Sequence, residues 1–265
     1  MEINEQPVAV LGENLMVRMI GDITEQPVVI FLHEALGSIG QWKDFPEAFS
    51  NATGLSCLVY DRAGYGRSTG SIYPRENDFL NNKSPKELKA LIDVLLPDQQ
   101  VILFGHSDGA SIALAFASLF PDSTLGVISE AAHIFVEPET LEGVRAAKPI
   151  YDRGMRKPLM KYQGDRVDDI FFGWWDTWQT PEFVQWNMEY MLPDIKAPVF
   201  AIQGSDDEYG TDKQVQHIVD QVSGFSEAWI IPGCRHMPHK ERREEVIDRC
   251  NTFIQQHVIR SLEQA

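Results

Sequence analysis

Val101-Ile102-Leu103-Phe104-Gly105-His106-Ser107-Asp108-Gly109-Ala110-Ser111-Ile112-Ala113-Leu114 is the stretch on which the reading of this chain turns. Four apolar residues in a row read as a strand buried on both faces. Gly-His-Ser-Asp-Gly follows, and then a run of small and apolar residues with helical spacing. A strand that becomes a helix over so few residues holds its central residue, Ser107, in strained backbone geometry. Glycines at 105 and 109 let the two elements approach closely there. The turn lifts the Ser107 hydroxyl clear of the backbone, at the positive end of the helix that follows. G-x-S-x-G recurs by chance too often to decide anything alone. The buried strand before it and the Ala-rich helix after it are the context the motif requires.

Working outward, apolar runs and helical patterns alternate. Val8 to Leu11 and Asn14 to Ile20, separated by Gly12-Glu13, predict an opening hairpin. Pro27 to Leu32 and Leu55 to Tyr60 read as buried strands, with a helix opening at Phe45-Pro46 between them. Ser84-Pro85-Lys86-Glu87 predicts a capped helix start, with Ser84 as N-cap and Glu87 completing a capping box. Leu125 to Glu130, Ala197 to Gly204 and Ala228 to Pro232 are further strands, and a long final helix closes the chain. Strand-helix alternation of this kind implies a mostly parallel sheet with right-handed crossovers. From Phe135 to Leu192 the strand patterns vanish and Trp174, Trp175, Trp178 and Trp186 crowd together. The expected organisation is a core of residues 1–134 and 193–265 with a helical cap, 135–192, inserted in it.

Composition bounds the partners. A formal charge of −16 over 265 residues argues against nucleic acid or an anionic membrane surface. Cys57, Cys234 and Cys250 are dispersed, so neither a disulfide framework nor a zinc site is suggested, and no metal or other cofactor is expected. The N-terminal residues show no basic and apolar targeting pattern, and no apolar run approaches membrane-spanning length. A cytoplasmic location and a small-molecule substrate are therefore expected. Pairing with a second copy of the chain stays open.

A serine hydroxyl needs a base to take its proton, and a carboxylate must then orient that base. Residues at the C-terminal ends of parallel strands are where such groups gather. His236 follows the last strand, and Asp206 and Asp207 follow the one before it, giving the chain order serine, acid, histidine. The backbone N–H of Asp108, just after the elbow, is one donor for a developing oxyanion.

With these residues in view, the chain resembles the α/β-hydrolase-fold superfamily, serine hydrolases and esterases with a helical cap. Phe31-Leu32-His33-Glu34-Ala35-Leu36-Gly37-Ser38 is similar to its His-Gly-x-x-Gly-Ser oxyanion loop. Asp61-Arg62-Ala63-Gly64-Tyr65-Gly66-Arg67-Ser68 resembles its Asp-x-Arg-Gly-x-Gly-x-Ser loop, where an Asp–Arg pair is expected to lock loops together. Gly204-Ser205-Asp206-Asp207 and Gly233-Cys234-Arg235-His236 resemble its acid and histidine loops. The resemblance implies Ser107 as nucleophile, His236 as base, Asp207 as orienting acid and the Ala35 N–H as second oxyanion donor. It leaves Asp206 as a turn residue, His239 as the competing base and Glu130 as a second-choice acid. It gives His33 the part of holding the oxyanion loop and His106 that of packing the elbow.

Glu34 departs from the pattern, standing where the family has glycine. It either turns outward, the blander expectation, or places a carboxylate at the site. Glu34, Leu36, Trp174, Trp175 and Trp178 are the expected pocket residues. Together these point to hydrolysis of a small or medium carboxylic ester through an acyl-enzyme. A carbon–carbon bond hydrolase or a thioesterase would keep the same triad. A non-catalytic binding protein and a perhydrolase on this fold are the more distant alternatives.

Overall fold

The predicted strands join one eight-stranded sheet in a computed structural model that describes residues 2–25, 27–72 and 75–263. In chain order they are β1 (Ile3–Val10), β2 (Glu13–Ile20), β3 (Val28–Leu32), β4 (Ser56–Tyr60), β5 (Val101–His106), β6 (Thr124–Glu130), β7 (Val199–Gly204) and β8 (Ser226–Ile231). Side by side they run β1-β2-β4-β3-β5-β6-β7-β8. β1 and β2 form the hairpin, β2 meets β4 antiparallel, and the remaining pairs are parallel. β1 starts earlier than its apolar run predicts. Residues Ile3 to Gln6 pair with β2 while their side chains stay in solvent, so no burial pattern marks them.

Among the helices are α1 (Phe45–Thr53), α2 (Ser84–Leu95), α3 (Asp108–Leu119), α4 (Pro138–Ile150), α5 (Arg156–Gln163), α6 (Val167–Thr177), α7 (Asp212–Gln221), α8 (Pro238–Glu241) and α9 (Arg243–Phe253). Successive strand residues point to opposite faces of the sheet, and two apolar clusters result. Val28, Ile30, Leu103 and Val127 join one with α2, α3 and α7. Val29, Phe31, Phe104 and Ile128 join the other with α1 and α9. The fold is an α/β-hydrolase sheet with helices on both faces.

Ser84 caps nothing. It has helical angles, φ −67° and ψ −38°, and continues a turn over Phe79–Lys83. Burial of Phe79 and Leu80 draws that turn into the helix, overriding the local start signal. Glu87 closes no capping box. It accepts the Ala63 N–H at 3.3 Å, and burial pushes its carboxyl up to about 7.

The helical segment leaves and rejoins the sheet at one doorway. Phe135 and Asn187 form an antiparallel bridge, and the Met188 N–H donates to the Ile134 carbonyl at 2.8 Å. Between them, α4, α5 and α6 lie over the C-terminal edge that carries Ser107. Among the described residues no helix is long and apolar enough to cross a membrane.

Candidate active site

Ser107 sits between β5 and α3 at φ 55° and ψ −122°, a conformation that costs a non-glycine residue about 1–3 kcal/mol. Its N–H donates to the Glu130 carbonyl at 2.9 Å, and its own carbonyl accepts from Ala110 at 2.8 Å. The flanking glycines are obligatory. A Cβ at 105 would stand 2.2 Å from the Gly109 carbonyl oxygen, and one at 109 would stand 2.0 Å from that of Leu32.

Loops after β7 and β8 bring two more groups to this turn. His236 Nε2 lies 3.1 Å from Ser107 Oγ, and its Nδ1 lies 2.9 Å from both Asp207 carboxylate oxygens. Asp207 also accepts the Tyr209 N–H at 2.8 Å and a Gln203 amide N–H at 3.3 Å. Burial opposes its charge, but His236 and these donors hold its carboxyl below the ordinary range. Burial likewise opposes a charge on His236. The Asp207 charge and hydrogen bond, with Glu34 and Glu208 behind them, outweigh it and raise the imidazole to about 9. Asp206 is exposed and accepts from the Ser205 hydroxyl at 2.8 Å.

Glu130 and His239 make a second pair. One carboxyl oxygen of Glu130 lies 2.5 Å from His239 Nδ1, and the other accepts the His239 N–H at 3.1 Å. Burial raises Glu130 to about 7 and lowers His239 to about 3. His106, which burial lowers to about 4, donates through Nε2 to the His236 carbonyl at 2.8 Å. His106, Glu130 and His239 bring ligand-type atoms within 4.8 Å of one another, the arrangement a metal ion would use. Those atoms are already committed to each other and to His236, so the cluster works as a brace under the histidine loop.

The Ala35 N–H is aimed by its own peptide. The Glu34 carbonyl accepts from His33 Nδ1 at 2.8 Å, Arg62 Nη2 at 2.8 Å and the Gly37 N–H at 3.1 Å. A planar trans peptide then directs the Ala35 N–H to the opposite side. The Asp108 N–H opens α3 and so has no intrahelical acceptor. Asp61 and Arg62 do not pair with each other as expected. Asp61 accepts the Ile39 N–H at 2.6 Å and the Arg67 N–H at 2.9 Å, while Arg62 is spent on His33 and Glu34.

Glu34 turns inward, against the blander expectation. Its carboxylate reaches within 3.5 Å of His106 Nδ1 and lines the cavity above Ser107. Although burial opposes its charge, His106, Lys240 and His236 keep its carboxyl below the usual value. That cavity is about 230 Å³, with Ala35, Leu36, Ser107, Asp108 and His236 on the core side. Thr140, Val144, Met155, Leu159, Trp174 and Trp178 wall it from the helical segment. Trp175 is not among its lining residues. Positions 174 and 178 share a helix face, whereas 175 is rotated by about 100° and packs against the apolar core.

Sequence reasoning missed several neighbours. His133, held near 4 by burial, lines the cavity, as do Tyr209 and Lys240. Arg75, itself buried, pairs with the Asp108 carboxylate at 3.3 Å. None of them lies in a motif, and no local pattern marks them.

The family description "Alpha/beta hydrolase family" fits residues 29–249. The chain belongs to the alpha/beta hydrolase family. This hydrolase is 25% identical over 262 residues to the Mus musculus protein named Serine hydrolase BPHL, covering 96% of this chain and 87% of the other. It is 25% identical over 299 residues to a proline iminopeptidase of Lactobacillus helveticus, covering 97% and 99%. A crystal structure of proline iminopeptidase from Mycobacterium smegmatis matches its fold with a TM-score of 0.72 at 20% identity, over 97% and 100% of the two chains. Two of these relatives are named for a peptidase activity, and the name of the third specifies no bond.

Proposed function

We propose that this hydrolase cleaves a small carboxylic ester through an acyl-enzyme on Ser107. The observation that carries the proposal is the hydrogen-bonded line from Ser107 Oγ to His236 Nε2 at 3.1 Å and on to Asp207 at 2.9 Å, at the floor of a cavity. Ser107 Oγ attacks the carbonyl carbon as its proton passes to Nε2. Asp207 keeps Nδ1–H pointed at itself and stabilises the imidazolium that forms. The charge that develops on the carbonyl oxygen meets the Ala35 and Asp108 N–H groups. His236 then hands its proton to the departing alcohol, and a water activated by the same nitrogen releases the acid. Residues 135–192 act as the cap that shapes the acyl pocket over a core of 1–134 and 193–265.

Cavity size favours a compact substrate. About 230 Å³ falls short of the ~300–1,000 Å³ typical of sites for drug-sized ligands. A second reading is favoured by the name of one curated relative. The same line of residues would cleave the peptide bond of a terminal proline, as the name proline iminopeptidase suggests.

The test is a p-nitrophenyl ester series from acetate to octanoate, run beside Ser107→Ala and beside a proline arylamide. Turnover that is lost in Ser107→Ala and falls with chain length supports the ester reading. A preference for the arylamide moves the assignment to the peptidase. Hydrolysis that survives in Ser107→Ala removes Ser107 as nucleophile.

A further inference from the structure

Gln163, the last residue of α5, is buried at 2% exposure, although glutamine is usually a surface residue. Its amide makes bonds in two directions. Nε2 donates to the Leu36 carbonyl at 2.8 Å and the Gly37 carbonyl at 2.8 Å, and Oε1 accepts the Gly66 N–H at 2.7 Å. Two carbonyl acceptors on one side and an N–H donor on the other fix which end of the amide is which. Leu36 and Gly37 are the far corner of the turn that begins at Glu34, closed by the Gly37 N–H on the Glu34 carbonyl at 3.1 Å. That turn carries the Ala35 N–H. Its near corner is held from the core by His33 and Arg62. Its far corner is held from the helical segment by Gln163.

We propose that Gln163 is a positioning residue for the oxyanion donor at Ala35, so that the helical segment sets the geometry of the reacting site as well as the shape of the pocket. Gln163 does not line the cavity; its Nε2 also lies 3.4 Å from the Oε1 of Gln41, which does, so it acts through the turn and through Gln41 without touching a substrate itself. Oxyanion stabilisation depends on donors fixed before the reaction, and an N–H free to wander stabilises the transition state less. Arg166 supplies a control. It straps the same segment to the neighbouring loop, donating to the Ser68 carbonyl at 2.7 Å and the Gly66 carbonyl at 2.5 Å, without touching residues 34 to 37.

This inference rests on the reading of Ser107 as nucleophile, and one experiment separates the two. The full chain and its Gln163→Leu, Gln163→Glu and Arg166→Gln variants are titrated with a fluorophosphonate, whose phosphoryl oxygen occupies the oxyanion position as Ser107 is phosphonylated. Each is then assayed with p-nitrophenyl acetate per titrated site. Removing a direct oxyanion donor lowers kcat by about 10²–10³-fold, so loosening one is expected to lower it by roughly tenfold. KM should move by less than about threefold, because ground-state contacts are unchanged. Gln163→Glu should be the slowest variant, since its carboxylate faces two carbonyl oxygens while keeping the Gly66 bond. Arg166→Gln should keep kcat within about twofold.

Wild-type kcat and phosphonylation rate in both Gln163 variants would overturn the inference while leaving Ser107 in place. So would an equal loss in Arg166→Gln, which would make the effect one of a loosened segment. If the wild-type chain is not phosphonylated at Ser107, both readings fall together.

Discussion

Two histidine–carboxylate pairs, whose histidines stand three positions apart in the loop after β8 and in α8, have opposite electrostatic fates. His236 with Asp207 and His239 with Glu130 both have buried side chains and are both bonded through Nδ1, at 2.9 Å and 2.5 Å. Yet His236 is raised to about 9 and His239 is lowered to about 3. The difference lies in the acids. Asp207 receives a backbone N–H and an amide N–H besides its histidine, stays ionised, and so stabilises the imidazolium. Glu130 is wholly buried and is itself pushed up to about 7, so it offers its histidine little charge. Burial alone lowers the histidine of such a pair. Donors that keep the acid charged are what raise it.

The largest effect that would break this contrast is expected at the acids themselves. Asp207→Asn should lower kcat by about 10³–10⁴-fold in ester assays, because the amide favours the wrong imidazole tautomer. Glu130→Gln should leave kcat within about fivefold. Equal losses would mean that His239 shares the chemistry. Next comes the pocket. Trp174→Ala, which opens the cavity wall, should raise KM for short esters by about tenfold, while Trp175→Ala should leave it within twofold. Matching values would place 175 at the substrate as well.

A smaller effect concerns pH. The proposed base must be neutral to accept a proton, so kcat/KM should climb as pH rises toward the raised His236 value, about 9. Glu34 helps to raise it, so Glu34→Gln should move the acid limb downward by up to about one unit and speed hydrolysis near pH 7. An unmoved limb would show that Glu34 acts on substrate binding alone.

How far the sequence carries depends on whether a feature is local. The elbow at Ser107 is legible because strand, glycines and helix are contiguous, and the strain that exposes the hydroxyl follows from backbone sterics. His236 and Asp207 are legible by place, since parallel strands deliver their loops to one edge. The capping box at Ser84 fails for the converse reason, because buried Phe79 and Leu80 extend the helix past a start signal written in neighbouring residues. Glu34 looks free to turn outward until its carboxylate is seen 3.5 Å from His106, 72 positions away. Gln163 has no motif at all; its partners lie 97 and 127 positions back in the chain.

The smallest expected effect tests the inert pair on stability. Glu130 has an ordinary carboxyl value near 4.5 in the unfolded chain and about 7 when folded. Its proton is therefore bound more tightly in the native state. The stability that this contributes is full below pH 4.5, falls as pH rises, and is gone above about 7. Glu130→Gln cannot ionise, and its amide can still accept the His239 N–H while donating to a neutral Nδ1. Its melting temperature should therefore gain on the wild type between pH 5 and pH 8, by a few degrees, the equivalent of about 1–3 kcal/mol. Glu87, also held near 7, titrates alike in both proteins and cancels from the difference. Parallel melting profiles would mean that Glu130 stays ionised throughout, paired with a charged His239. The two pairs would then differ only in which one faces Ser107.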